Sequence, residues 1–186
     1  MSRSADLPTE RLPEFRYHPD PVATGSVRST SGPCVVCEQV RGFEYAGPIS
    51  GSEDPGGSVC PWCIADGSAT ELFGISFDGG DGSLGIAPEI VDELTTRTPG
   101  FLSWQESYWE YHCEDACAYL GRVGSEELAG LSESASLAVK RALEPWAQTD
   151  ASRATLFTTL RADGNLSCYL FHCVRCGEFA AHCDAA

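Results

Sequence analysis

Two Cys-x-x-Cys pairs constrain this chain more than anything else in it: Cys34 and Cys37 in PCVVCE, and Cys60 and Cys63 in VCPWCIADGSA. Cys37 and Cys60 are 22 residues apart in the loop count, close to the spacing at which two such turns converge on one ion. A two-residue spacer lets each turn aim both sulfurs at one point, and zinc holds thiolates at about 2.3 Å with no redox chemistry of its own. The spacing predicts a structural zinc site made by these four cysteines. With all four positions on the ion filled by protein, such a site speaks for metal and fold and says little about a reaction.

The chain has ten cysteines, and the remaining six are read through compartment. The N-terminal MSRSADLPTERLPEFRYHPD has no apolar core of a secretory signal, and no apolar run approaches the roughly 18 residues of a membrane span. A soluble, cytoplasmic protein is therefore expected, with no membrane partner. There glutathione keeps thiols reduced, which favours metal ligation over disulfides for most of the ten. The formal charge of -15 works against phosphate backbones, and a nucleic-acid role would want a basic face. Lys140 is the single lysine, and the arginines are scattered, so nucleic acid is excluded as a partner and a basic protein is expected instead.

Along the chain the fold class reads as α+β: small zinc-ribbon or treble-clef elements with short antiparallel strands, plus a helical middle segment. Residues 1–11 are expected to be a disordered lead-in, and 12–186 a single compact domain. Within it, 34–63 holds the N-terminal knuckles, 88–148 the helical segment and 154–183 a C-terminal hairpin and knuckle. Prolines break LPEFRYHPDPVATGS, leaving Phe15 and Tyr17 as a short alternating piece for a sheet edge. His18 there reads first as a hydrogen-bonded histidine in a proline turn. IADGSATELFG is a short helix leaving the second knuckle, capped by Asp66 or Ser68. The FDGGDGSLG loop has no EF-hand spacing of carboxylates and no terminal glutamate, so it carries no calcium reading. APEIVDELTTRTPG, SEELAGL and SESASLAVKRALEPWAQ are helices by their caps, periods and prolines.

FLSWQESYWEYHCEDACAYLG also follows a helical period, which would set Trp109, Cys113, Ala116, Cys117 and Leu120 on one face and Trp104, Tyr108 and Tyr111 on an adjoining stripe. ATLFTTLRADGNLSCYLFHCVRCG reads as a hairpin turning at Asp163, Gly164 and Asn165 and leading into a third pair, Cys173 and Cys176. That pair needs two more ligands. Cys113 and Cys117, four apart on a helix, are the expected partners, with His112 and His172 as alternative donors. Cys168 and Cys183 have no partner by spacing and read as structural or spare.

The segments FRYHPDPVATGS, CVVC, CPWCIADGSA, TPGFLSWQESYWEYHCEDACAYLGRVG and YLFHCVRCG, in this order, closely resemble the CbrC family of bacterial proteins. The resemblance covers Leu12 to about Glu178. It places the family's first two pairs on Cys34, Cys37, Cys60 and Cys63, and its HCxDxC and CxxCG segments on His112, Cys113, Cys117, Cys173 and Cys176. It implies an intracellular protein, one member being linked to tolerance of a nuclease colicin. The short 74–87 segment departs from relatives that carry a longer acidic insertion there. Two functional classes follow. One is a zinc-stabilised module that binds a basic protein such as a nuclease toxin, with Trp104, Tyr108 and Tyr111 as contact residues if exposed. The other is an enzyme with a site near His18, Asp20 and Asp66, or a thiol redox protein using Cys60 and Cys63 in CPWC. The sequence has no GxSxG, P-loop or HExxH motif to support hydrolase, nucleotide or zinc-protease chemistry.

Overall fold

The computed structural model describes residues 11–51, 54–77, 85–105 and 107–186. Residues 1–10 of the lead-in expected over 1–11 and most of the FDGGDGSLG loop lie outside the described residues. The architecture is α+β with antiparallel sheets.

The N-terminal part is a thin ribbon around the first cysteine pairs. Strands β1 (Val27–Ser29) and β2 (Phe43–Tyr45) pair antiparallel, and Cys34 and Cys37 lie in the loop between them. β3 (Ser50–Gly51) pairs with β4 (Ile75–Ser76), and between these come helices α1 (Pro61–Ala65) and α2 (Ser68–Phe73). Cys60 is the N-cap of α1 and Pro61 opens it, a position where the missing proline N–H costs nothing. Asp66 joins the two helices: its carboxylate accepts from Ser68 N–H at 2.9 Å. Phe15, Tyr45, Val59, Ile64, Ile75 and Phe77 make the apolar core that surrounds the cysteines.

The rest is built on a four-stranded sheet, β5 (Tyr111–His112), β6 (Asp115–Val123), β7 (Leu166–Cys173) and β8 (Phe179–Ala185), in that spatial order. Side chains alternate across it. Tyr169, Phe171 and Cys173 face one core with Tyr17, Leu94, Phe101, Trp109 and Tyr119. Cys168 and Leu170 face the other, under helices α4 (Ser125–Leu128), α5 (Glu133–Ala142) and α6 (Asp150–Thr159). Helix α3 (Pro88–Arg97) packs Leu94 into the first of these cores. After α3, Gly100 approaches the Phe77 carbonyl so closely that a Cβ would lie 1.9 Å from its oxygen, so this contact admits only glycine.

Three expectations are corrected here. Residues 111–123, expected inside a helix, form a hairpin instead: β6 is buried on both faces along most of its length, so its apolar residues show no strand alternation. Residues 150–159, partly expected as the first arm of a hairpin, are helix α6, opened by a reciprocal Thr149 and Ser152 cap. Phe15 and Tyr17 form no strand. Tyr17 contributes one backbone bond to the sheet margin, its carbonyl accepting from Tyr119 N–H at 2.8 Å.

Candidate metal centres

Cys34, Cys37, Cys60 and Cys63 bring all four sulfurs within 4.8 Å of one another. Individual edges are 3.9 Å for Cys34 to Cys63, 3.8 Å for Cys37 to Cys60 and 3.6 Å for Cys60 to Cys63. Four sulfurs at about 2.3 Å from one tetrahedral ion lie about 3.8 Å apart, so these edges fit a single central ion. The loop geometry explains the convergence. Cys34 N–H donates to the Gln39 carbonyl at 2.9 Å, and Glu38, in left-handed conformation at φ 58°, returns its N–H to the Cys34 carbonyl at 2.8 Å. Val36 and Cys60 N–H groups point at Cys34 Sγ, at 3.4 and 3.3 Å. A hydrogen bond from Cys60 lowers Cys34, while burial raises Cys63. A cation at the centre is what lets four neighbouring thiols ionise together.

A second group consists of His112, Cys113, Cys173 and Cys176, whose donor atoms also lie within 4.8 Å of one another. His112 Nδ1 is 3.2 Å from Cys113 Sγ and 3.4 Å from Cys176 Sγ. A tetrahedral ion with usual nitrogen and sulfur bonds sets such pairs about 3.6 Å apart, again close to what is seen. The other ring nitrogen, Nε2, faces Glu178 at 3.6 Å, an outer carboxylate of the kind that orients a ligating histidine. The supporting turn repeats the first one: Cys173 N–H donates to the Glu178 carbonyl at 2.7 Å, and Gly177 N–H to the Cys173 carbonyl at 2.9 Å, with Gly177 at φ 74°. Opposite this turn, Cys113 and Glu114 take φ values of 54° and 57° and form the tip between β5 and β6. The second group therefore sits where two neighbouring hairpin tips meet.

Cys117, expected as a ligand, is outside the group. It is fully buried in the core beside Tyr17 and Trp109, where burial pushes its thiol up to about 12. His112 stands in its place because the segment is a hairpin, which presents neighbours at its tip rather than residues four apart. His172 lies outside the group as well.

Asp115, which the sequence reading did not single out, fastens this corner. Its fully buried carboxylate accepts from Tyr17 OH at 2.8 Å and pairs with Arg16 at 2.6 Å and with Arg175, inside the knuckle, at 3.0 Å. Burial alone would raise its carboxyl, but the Tyr17 and Arg175 hydrogen bonds and the Arg16 charge outweigh it and hold it below the usual range. The signal in the sequence was an acid two residues after Cys113, at the point where a strand begins.

The other candidates do not come together. His18 is fully buried, with Nδ1 2.7 Å from the Pro99 carbonyl, Nε2 2.7 Å from Thr24 Oγ1, and burial lowering it to about 4. Asp20 closes a turn by accepting from Ala23 N–H at 2.9 Å. A cleft of about 620 Å³ runs past Thr24, Gly121, Arg122 and Arg161, and neither His18, Asp20 nor Asp66 lines it. Trp104 and Tyr108 are each 46% exposed, Tyr111 is half-buried, and the helical stripe expected to join them is absent. Trp104 is held in place by its indole N–H to Ser167 Oγ at 3.0 Å and by its backbone N–H to Asp184. Cys168 and Cys183 are joined in a disulfide across β7 and β8.

Residues 12–185 match the uncharacterised protein family UPF0167, and the chain belongs to that family. A UPF0167 protein of Pseudomonas aeruginosa is 43% identical over 176 residues, spanning 93% of this chain and 96% of the relative. Another, from Mycobacterium bovis, is 38% identical over 179 residues and 95% of each chain. No solved structure matches the chain. Among the described residues, no helix is long and apolar enough to cross a membrane.

Proposed function

We propose that the chain is a cytoplasmic, zinc-stabilised protein-binding module whose acidic surface engages a basic protein, a nuclease toxin being the kind of partner meant. The observation that carries its metal half is the set of sulfur separations of 3.6 to 3.9 Å in the first group, the edge lengths of a tetrahedral thiolate site. Thiolate sets with or without one imidazole select zinc among the common divalent ions. Both groups supply four protein ligands, which suits a stabilising ion better than one that must bind substrate.

The formal charge of -15 supports the partner, since an acidic face speeds encounter with a basic protein and rejects nucleic acid. Exposed Trp104 and Tyr108 offer the aromatic area on which binding energy concentrates. The resemblance to CbrC proteins supports the toxin and the compartment. The enzyme alternative loses its residues one by one, because His18 is already bonded at both nitrogens and Asp20 and Asp66 close local turns. The redox alternative is weakened by the closeness of Cys60 and Cys63 to two further sulfurs.

Metal analysis of the purified chain should return two zinc ions per molecule, and pull-down from extract should yield a basic protein retained at low salt and lost at high salt. A zinc-free, folded chain overturns the metal half. Turnover of a small molecule without any salt-sensitive partner overturns the binding half.

A further inference from the structure

Cys117 is unused by either metal group, yet its position on the sheet is particular. It is the register partner of Cys173 across β6 and β7. Cys117 N–H donates outward to the Glu110 carbonyl at 2.8 Å, and Cys173 N–H donates outward to the Glu178 carbonyl at 2.7 Å. Each amide thus points away from the other's strand, which defines a non-hydrogen-bonded pair, with Cα atoms about 4.5 Å apart. A disulfide accepts Cα separations of about 4.4 to 6.8 Å, so the backbone needs no rearrangement to be bridged here. The adjacent ladder already carries such a bond: Cys168 and Cys183 are register partners 4.1 Å apart at Cα and are joined.

We infer that Cys117 and Cys173 are a second cross-strand redox pair, and that a hydroperoxide entering at Cys176 drives them to a disulfide that removes Cys173 from the second metal group. The inference rests on the zinc reading of that group. Cys113 and Cys176 are exposed, whereas Cys173 and Cys117 are buried, so attack begins at the surface. The Cys176 thiolate takes oxygen from the hydroperoxide; the O–O bond breaks and water or an alcohol leaves. Cys173 sulfur displaces hydroxide from the resulting sulfenic acid, giving a Cys173 to Cys176 bond. Cys117 attacks Cys173 sulfur, its proton passes to the departing sulfur, and Cys176 leaves as the thiol. Two electrons have passed to the peroxide. With Cys173 bonded to Cys117, His112, Cys113 and Cys176 would remain to hold an ion, three ligands in place of four, and its affinity would fall.

The full chain, assayed for metal, is treated with hydrogen peroxide, alkylated, digested and mapped by mass spectrometry. The expected product joins Cys117 to Cys173, with one of two metal equivalents released. Cys176→Ser, which lacks the exposed entry, should form that bond at least about tenfold more slowly. In Cys117→Ala the bridge should stop at Cys173 to Cys176, and the wild-type map stands without this variant should it fold poorly. Wild-type chain that loses metal with Cys117 still alkylated as a free thiol overturns the inference, as does an unchanged rate in Cys176→Ser. A Cys117 to Cys173 bond in a chain that held no metal beforehand overturns the zinc reading and leaves the redox pair standing.

Discussion

The two groups that could hold a metal share one kind of knuckle and differ in what is set against it. In the first, the partner pair comes from a helix start inside an apolar core, and three of the four cysteines are buried. In the second, the partner residues come from a hairpin tip, and three of the four are exposed. The same loop therefore serves a site that completes a core in one place and a site open to solvent in the other. Removing a ligand should separate them most clearly. Structural zinc contributes about 10 to 16 kcal/mol in small zinc-dependent folds, as much as the whole stability of a typical domain. Cys60→Ser is expected to lose metal and cooperative unfolding in the N-terminal part, whereas Cys113→Ser should lose one metal equivalent and keep a cooperative melt. Metal content and circular dichroism on the two variants decide it; equal melts would break the comparison.

Removal of metal from the intact chain is the next sharpest probe. A chelator reaches an ion through exposed ligands, so the second group should empty first, in a distinct phase of the release curve followed by a metal indicator. A single phase for both ions would show that burial does not set the order.

Asp115 tests why the exposed group holds its shape at all. Asp115→Asn keeps the volume but loses two charge-assisted bonds, to Arg16 and to Arg175 within the knuckle. Both arginines are about half exposed and regain water, so the cost should be about 1 to 3 kcal/mol, with metal affinity at the second group falling about tenfold. The pH dependence has a definite sign. Because the folded carboxyl is held below its usual value, its stabilisation is fully present above about pH 4, the ordinary carboxyl value, and is lost as pH falls through the lower folded one. The gap between wild type and variant in urea titrations should be constant at neutral pH and close in acid.

How far the sequence announced these two regions follows the same divide. The first group was legible because both of its pairs are separated by two residues, a spacing that holds whatever structure surrounds it. Helix α3 was legible from Pro88 and α5 from its amphipathic period, and the structure adds a cap to α5 in Ser132, which accepts from the Ala135 N–H. The second group was half legible. Its knuckle was seen, but its partner was sought four residues apart on a helix, and a strand buried on both faces offers no polar alternation to betray it. Once 111–123 is a hairpin, His112 and Cys113 meet at the tip and Cys117 turns inward. α6 was missed for a different reason: ATLFTTL is rich in threonine and leucine and reads as strand, whereas the reciprocal Thr149 and Ser152 cap just before it opens a helix.

The smallest expected effect bears on the loop the two groups share. The residue after the second cysteine is left-handed in both knuckles, yet it is Glu38 in one and Gly177 in the other. For a residue with a Cβ that conformation costs about 1 to 2 kcal/mol, and glycine escapes it at a loss of about 0.5 to 1 kcal/mol in chain entropy. Gly177→Ala meets no atom within 4 Å of the new Cβ, so nothing but backbone conformation changes. It should destabilise the second knuckle by about 0.5 to 1 kcal/mol, and Glu38→Gly should stabilise the first by about the same amount, each being the difference of those two terms. Shifts of opposite sign in denaturant midpoints support one device used twice. If Gly177→Ala leaves metal affinity and midpoint unchanged while Glu38→Gly destabilises, the two loops resemble one another in hydrogen bonding alone and bear different strain.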